Sequence, residues 1–213
     1  MGSLPPSISN MSNLETLWLS FNSIEGTIPT EFRSQWEVRR FPNSSEQFSG
    51  TISEEIWNLN MLRLVSFHGN FLTMDDIDTP LFNMYLEILG LHQNDLNGVI
   101  PGSISNASNL IWLSLQFNSF TGVIPNSLRN LRNIKNLDLA SNNLATDSSA
   151  RSSFLISLTS YSNKLTSKIH TRLWNVKNLQ ELNLSSNLLS GSLPPKIDNL
   201  KPTYLLDFSV NQL

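Results

Sequence analysis

The 213-residue chain contains no cysteine, so no disulfide bridge can hold its fold together. Charged side chains make up only 15% of the sequence, and its 14 basic and 17 acidic residues are interspersed rather than gathered in a stripe. Nucleic-acid binding, which depends on clustered basic side chains, therefore gains no support. No apolar run approaches the roughly 18 residues of a membrane span, and the first six residues lack the layout of a signal peptide.

Sequence motifs of nucleotide-dependent enzymes are also missing. The chain has no Gly-x-Gly-x-x-Gly loop, no Gly-x-x-x-x-Gly-Lys-Ser/Thr loop, and neither the His-Arg-Asp nor the Asp-Phe-Gly motif of a kinase. Because a repeated pattern occupies nearly every stretch of the chain, no room remains for a catalytic domain. We therefore expect a binding scaffold that is not an enzyme and needs no cofactor.

One pattern recurs in eight copies, nearly all spaced 24 residues apart. The clearest copy, at 14–29, has the form Leu-x-x-Leu-x-Leu-x-x-Asn-x-Ile-x-Gly-x-Ile-Pro, and close matches lie at 86–101, 110–125 and 179–194. Such self-similarity predicts a solenoid, in which each unit buries its apolar edge only by stacking on its neighbours.

Within each unit the segment x-Leu-x-Leu-x alternates apolar and polar residues, which is the period of a half-buried strand. In the first unit Leu17 and Leu19 are expected to point into the core, and Trp18 to point outward. Stacked units then align these strands into a parallel sheet with a spacing of about 4.8 Å, so nine units span roughly 43 Å.

An asparagine follows each strand and is expected to turn the chain inward. A buried turn leaves backbone groups without water, and an amide side chain both donates and accepts hydrogen bonds. Replacing one such asparagine by alanine should cost about 1–3 kcal/mol. The predicted structural ladder consists of Asn22, Asn70, Asn94, Asn118, Asn142, Asn163, Asn187 and Asn211.

The repeat pattern predicts a single array over residues 1–213, with about nine units and with both ends cut within a repeat. Two units, near 33–47 and 145–170, are irregular. In the second unit Pro42 falls inside the strand, where it cannot donate a hydrogen bond, and Glu46 replaces the ladder asparagine. We expect that unit to be locally disordered or bulged; the alternative is that residues 33–46 reflect a divergent or misread coding stretch.

The return segment Leu-x-Gly-x-Ile-Pro resembles the plant-type leucine-rich repeat of receptor-like kinases and receptor-like proteins. The resemblance implies an α/β repeat solenoid, a right-handed superhelix with a parallel β-sheet on its concave face and short 3-10 or irregular segments on its convex face. The segment 153–163 further resembles an irregular unit of receptors that sense microbial elicitors.

The same resemblance implies an extracellular ligand-recognition segment of a plant receptor-like kinase, lying at the outer face of the plasma membrane. Its partners would be a peptide or protein ligand and a co-receptor ectodomain. A membrane helix and a Ser/Thr kinase would belong to the parent protein.

Two other hypotheses stay open at this point. The chain could be a secreted inhibitor that resembles the plant repeat proteins blocking polygalacturonase, although those proteins are capped by cysteines. It could also be a degenerate fragment of a receptor gene without a stable product, which the irregular second and seventh units would fit.

The outward-facing positions of the strands are the candidate binding site. Exposed aromatic side chains on a rigid concave sheet are suited to anchoring a peptide or protein ligand. The alternative is that these rings pack laterally and only cover the sheet. The candidate ligand-binding residues are Trp18, Phe21, His68, His92, Gln93, Trp112, Gln116, Phe117 and Tyr161.

A metal site is not expected. His68 and His92 are 24 residues apart, so they should lie about 4.8 Å apart on neighbouring strands, where a pair could bind a metal or respond to pH. Zinc needs further ligands, and none is visible near this pair. The acidic stretch 74–78 lacks the spacing and ligand number that calcium needs, and a solvated loop is expected there.

Four Asn-x-Ser sequons mark candidate glycosylation sites at Asn10, Asn43, Asn106 and Asn183. Asn10 and Asn106 are 96 residues apart and share a position on the outer flank of the array. A glycan on Asn183 would instead occupy the strand face and block binding there.

Overall fold

The computed structural model describes residues 15–19, 49–51, 62–73, 85–145, 155–169, 171–193 and 195–213. In this part of the chain, eight short strands form one parallel sheet in the order β1-β3-β5-β6-β7-β8-β10-β12. These strands are β1 Thr16–Trp18, β3 Leu64–Ser66, β5 Ile88–Gly90, β6 Trp112–Ser114, β7 Asn136–Asp138, β8 Ser157–Thr159, β10 Glu181–Asn183 and β12 Leu205–Asp207.

The sheet is held in register by the apolar residue at the centre of each strand. Leu89, for example, pairs with Leu113, which in turn pairs with Leu137. These side chains are at most 4% exposed, and the flanking strand positions face the other side of the sheet. The predicted leucine-rich-repeat solenoid is therefore confirmed. Its hydrophobic core lies behind the sheet, on the side opposite to the concave face.

A second row of short strands lies on the return part of the units. Strands β2 Ser49–Thr51 and β4 Phe71–Thr73 pair in parallel, as do β9 Thr166–Ser167 and β11 Leu188–Leu189. The helices among the described residues are all 3-10 helices of five residues, and each comes after the return part of its unit along the chain. The 3-10 helices are Gly102–Asn106, Asn126–Asn130, Thr171–Asn175 and Pro195–Asn199.

The ladder asparagines connect successive units through both ends of their amide groups. Asn94 donates from Nδ2 to the carbonyl of Leu91 in its own unit at 3.1 Å and to that of Phe67 in the preceding unit at 3.0 Å. Its Oδ1 accepts from the backbone N–H of Leu72 at 3.1 Å. The same three-way pattern holds for Asn118, Asn142, Asn163, Asn187 and Asn211. Asn70 makes the two donations, and Asn22 lies outside the described residues.

Strands β1 and β3 are direct neighbours in the sheet, and the strand positions of the second unit lie outside the described residues. These two strands pair directly, although their central residues, Leu17 and Val65, are 48 positions apart. Asn70 correspondingly donates to the carbonyl of Leu19, 51 positions earlier, where Asn94 reaches back only 27. The described part of the sheet has eight strands, and the number of units stays a prediction. Pro42 lies outside the described residues.

The seventh unit keeps its place in the sheet despite its short spacing. Strand β8 pairs with β7 on one side and with β10 on the other. Ser160 occupies the buried position of a leucine and is 2% exposed, and its carbonyl accepts from Asn163 and Asn187.

No helix in the described segments has the length and apolarity needed to cross a bilayer.

Candidate functional site: the concave face of the sheet

Two tryptophans extend from the outward positions of the sheet. Trp18 is 38% exposed at the end of β1, and Trp112 is 42% exposed at the start of β6. Their neighbours along each strand, Leu17 and Leu113, are buried. The alternation of a strand therefore places each indole ring toward solvent, as the sequence pattern predicts.

A left-handed backbone turn directs a second group of side chains outward. The residue before each described ladder asparagine has a positive φ, which is 57° at Gln93 and 53° at Phe117. This conformation is costly for a bulky side chain, and the hydrogen bonds of Asn118 hold the turn in place at Phe117. Phe117 is consequently 45% exposed. Phe21 lies outside the described residues.

His68 and His92 stack face to face, with ring centroids 4.3 Å apart and an interplanar angle of 9°. Burial lowers the pKa of both rings, and the proximity of His68 contributes further to lowering the pKa of His92 to about 4. Nδ1 of His68 lies 2.8 Å from Oγ of Ser66. Both rings are therefore neutral near pH 7, and the described residues offer no group of three metal-ligating side chains.

The concave face carries a cavity of about 400 Å³ that extends from β6 to the segment just before β12. We call it the inner groove, and it is defined by Trp112, Asp138, Glu181 and Tyr204. Asp138 and Glu181 are the charged residues that line it, so its charge is negative. The aromatic rings of Trp112 and Tyr204, which are 42% and 71% exposed, lie at its two ends.

Hydroxyl groups hold both carboxylates of the inner groove in place. Oδ1 of Asp138 accepts from Oγ1 of Thr159 at 2.5 Å and from the backbone N–H of Ala140 at 3.3 Å. Burial nevertheless raises the pKa of Asp138, and these hydrogen bonds offset the shift only in part. Glu181 accepts from Oγ of Ser157 at 3.1 Å and from the phenol of Tyr204.

The predicted ligand-binding residues are spread along the sheet instead of forming one cluster. Among the described members of this set, only Trp112 lines the inner groove. The histidine stack, Gln93 and Gln116 lie on units three to five, and Tyr161 on unit seven is half-buried. Sequence reasoning missed Asp138, Glu181 and Tyr204. Alignment of the units would have placed Glu181 in the same strand position as Trp112, which is the signal that was available.

The described glycosylation candidates differ in accessibility. Asn106 is exposed at the end of the helix Gly102–Asn106, on the flank of the array. Asn183 is half-buried in β10, where its Oδ1 accepts from the backbone N–H and from Oγ of Ser185 at 3.0 and 2.7 Å. Asn10 and Asn43 lie outside the described residues.

Family models and curated relatives match the repeat pattern. A model described as Leucine rich repeat matches residues 85–144, and a second, described as Leucine Rich Repeat, matches residues 13–35 and 178–200. Receptor-like protein 41 of Arabidopsis thaliana is 30% identical over 118 residues, which are 54% of this chain and 13% of that protein. The chain therefore spans a small part of the length of this relative.

Solved plant receptor structures match nearly the whole chain. The plant peptide hormone receptor RGFR1 in complex with RGF2 has a TM-score of 0.85 at 31% identity, covering 99% of this chain and 34% of that one. The Arabidopsis receptor kinase HAESA, in complex with the peptide hormone IDA and the co-receptor SERK1, has a TM-score of 0.84 at 31% identity, covering 99% and 36%. The repeats and the solenoid show a leucine-rich-repeat array, and these matches show that it is similar to the ectodomains of plant receptors.

Proposed function

We propose that this array binds a peptide or protein ligand on its concave face, as the recognition segment of a larger extracellular plant receptor. The observation that carries the proposal is the inner groove, an open cavity of about 400 Å³ in which Trp112 keeps 42% of its surface exposed. A large aromatic ring beside an open cavity is the kind of group on which binding energy concentrates.

The mechanism is recognition without chemistry. The sheet is fixed by the asparagine ladder, so the groove exists before the ligand arrives and little ordering cost opposes binding. Ligand bound along the sheet would then favour pairing with a co-receptor ectodomain, which is a shift of population between free and paired receptor. The solved HAESA structure, in which that receptor is in complex with a peptide hormone and a co-receptor, supports an assembly of these three kinds of component.

Peptide binding can be tested on the full chain with a random nine-residue peptide display library as the probe. Enriched peptides are synthesised, and their dissociation constants are measured on the wild-type chain and on Trp112→Ala. We expect at least tenfold weaker binding by the variant, since a central aromatic anchor contributes more than about 1.4 kcal/mol.

A matched control is Phe71→Ala, which removes an aromatic ring that is 52% exposed in β4, away from the inner groove. This variant should bind the enriched peptides as the wild type does. The proposal fails if no peptide is enriched, or if both variants weaken binding equally.

The proposal extends to the parent protein, which we place among the receptor-like kinases, with microbial elicitors as a candidate ligand class. Support comes from the resemblance of 153–163 to an irregular unit of elicitor receptors and from the kinase named in the HAESA match. The flanking gene sequence tests this part. A membrane helix followed by kinase motifs is expected, and a reading frame that lacks the kinase motifs would contradict it.

A further inference from the structure

A second recess lies beside the inner groove, on the flank of the sheet. Its volume is about 510 Å³, and we call it the flank recess, defined by Arg132, Lys135 and Asn178. The charged residues that line it are Arg132 and Lys135, both of which are basic and exposed. Along the part of the chain that the structure describes, neither of these cations is paired with a carboxylate.

The two recesses have a common wall. Ile156 and Gln180 line both of them, and both residues immediately precede an outward strand position. The wall is rigid, because the backbone N–H of Ile156 donates to the carbonyl of Lys135 at 2.7 Å and that of Gln180 donates to the carbonyl of Ile156 at 2.7 Å. A ligand that crosses this wall passes from a positive to a negative environment.

The distance across the wall is short. Lys135 and Asp138 are three positions apart on one extended segment, which corresponds to about 10 Å between their Cα atoms. An extended ligand chain covers the same distance in about three residues. The carboxylates of the inner groove, like the cations of the flank recess, have no oppositely charged partner in the described segments.

We propose that the inner groove and the flank recess together bind a peptide segment that carries a basic and an acidic side chain about three residues apart. The basic side chain enters the inner groove toward Asp138 and Glu181, with its aliphatic stem against Trp112. The acidic side chain enters the flank recess toward Arg132 and Lys135. This assignment rests on the proposed function and adds to it the charge and the direction of the ligand.

Charge complementarity carries the assignment. Either recess alone would attract a singly charged segment, but the two together attract opposite charges in a fixed order along the chain. A peptide of uniform positive charge would leave Arg132 and Lys135 facing like charge, and an acidic peptide would do the same at Asp138 and Glu181. Like-charge contacts of this kind reject the wrong partner.

The test uses pairs of synthetic nine-residue peptides taken from the display selection described above. In each pair the second peptide has the basic and the acidic residue exchanged, so that composition and net charge stay the same. We expect the selected peptides to combine Lys or Arg with Asp or Glu about three positions apart. The wild-type chain should bind the original peptide at least tenfold more tightly than its exchanged partner.

Variants of the chain locate the effect. Asp138→Asn combined with Glu181→Gln removes both negative charges and keeps the oxygen acceptors for Thr159 and Ser157, and the preference between the exchanged peptides should be lost. The matched control is Asp95→Asn combined with Asp198→Asn, two exposed acids outside both recesses, which should leave the preference unchanged. If the first double variant does not fold, the comparison of exchanged peptides on the wild type still decides the question.

The outcomes separate this inference from the proposed function. Peptides that depend on Trp112 but show no charge preference, or that bind equally in both orders, would overturn the ordered-charge assignment and leave peptide binding intact. A selection that enriches no peptide would overturn both.

Discussion

Removal of one ladder asparagine should show how much of the stability of the array depends on a single amide group. Asn142 donates from Nδ2 to the carbonyls of Leu115, Leu139 and Ala140 at 3.0, 3.2 and 3.1 Å. Its Oδ1 accepts from the backbone N–H of Phe120 at 3.0 Å, and the side chain links units five and six. Asn142→Ala therefore leaves several polar groups of the buried turn without this partner.

The expected cost is about 2–4 kcal/mol, higher than the sequence-based value of about 1–3 kcal/mol, because that value counts one buried group left without a partner and the structure shows several, some of which retain other contacts. The free energy of unfolding is measured in urea from tryptophan fluorescence. Because repeat arrays can unfold in segments, hydrogen exchange at the amide of Phe120 provides the local readout. That amide should lose protection in Asn142→Ala.

Asn143→Ala is the matched control, since Asn143 is the next residue and is exposed. Its effect should stay within about 0.5 kcal/mol, as for most surface substitutions. Asn142→Asp keeps the acceptor for Phe120 but sets a negative charge against three carbonyl oxygens, so it should be no more stable than the alanine variant. Equal stability of Asn142→Ala and Asn143→Ala, with unchanged exchange at Phe120, would refute the role of the ladder.

Two further predictions concern the histidine stack and a glycine turn. The folded chain holds the pKa of His92 at about 4, below its ordinary value of 6.5, so the unfolded chain takes up the proton first as the pH falls. Stability should therefore be full above pH 6.5 and decline between about 6.5 and 4. The free energy of unfolding should fall by about 1–2 kcal/mol once solvent screening is allowed for. In urea titrations at pH 7 and 4.5, the His92→Gln variant should lack this part of the fall. A fall of the same size in the variant would contradict the assignment to His92. Gly122 has a φ of +73°, and an added Cβ would lie 2.8 Å from Cγ1 of Val99. Gly122→Ala should lower the unfolding free energy by about 1–3 kcal/mol, whereas Gly102→Ala, whose Cβ would meet Oγ of Ser127 at 3.3 Å, should cost less; equal losses would show that the turn geometry is not the cause.

The features that could be predicted from sequence are those that one repeat unit determines locally. The alternation around Leu113 is set within five residues, and so is the outward direction of Trp112. The role of Asn118 follows from the need of any buried turn for a donor and an acceptor. These features repeat with the unit, so a single copy of the pattern is enough to predict them throughout the array.

The features that could not be predicted depend on relations between units. The direct pairing of β1 with β3 requires a comparison of two strand registers that are 48 positions apart in the chain. The inner groove likewise depends on side chains from several units, and Asp138 and Glu181 have the appearance of ordinary surface charges in the sequence. Only the stacking of the units brings them to one cavity with Trp112.

The parallel register also explains how the concave face can hold several carboxylates without strong repulsion between them. Residues at one strand position lie about 4.8 Å apart on neighbouring strands, so two acids in register would face each other directly. Asp138 instead pairs with Thr159, and Glu181 pairs with Ser157, and in both cases the neighbouring hydroxyl donates to the carboxylate. A hydroxyl-bearing strand between two acid-bearing strands thus keeps the negative charges apart and fixes their orientation. The outward positions carry no part of the hydrophobic core, so their side chains are free to vary from unit to unit. If the array binds a ligand as proposed, we expect its ligand preference to depend on the side chains at these positions.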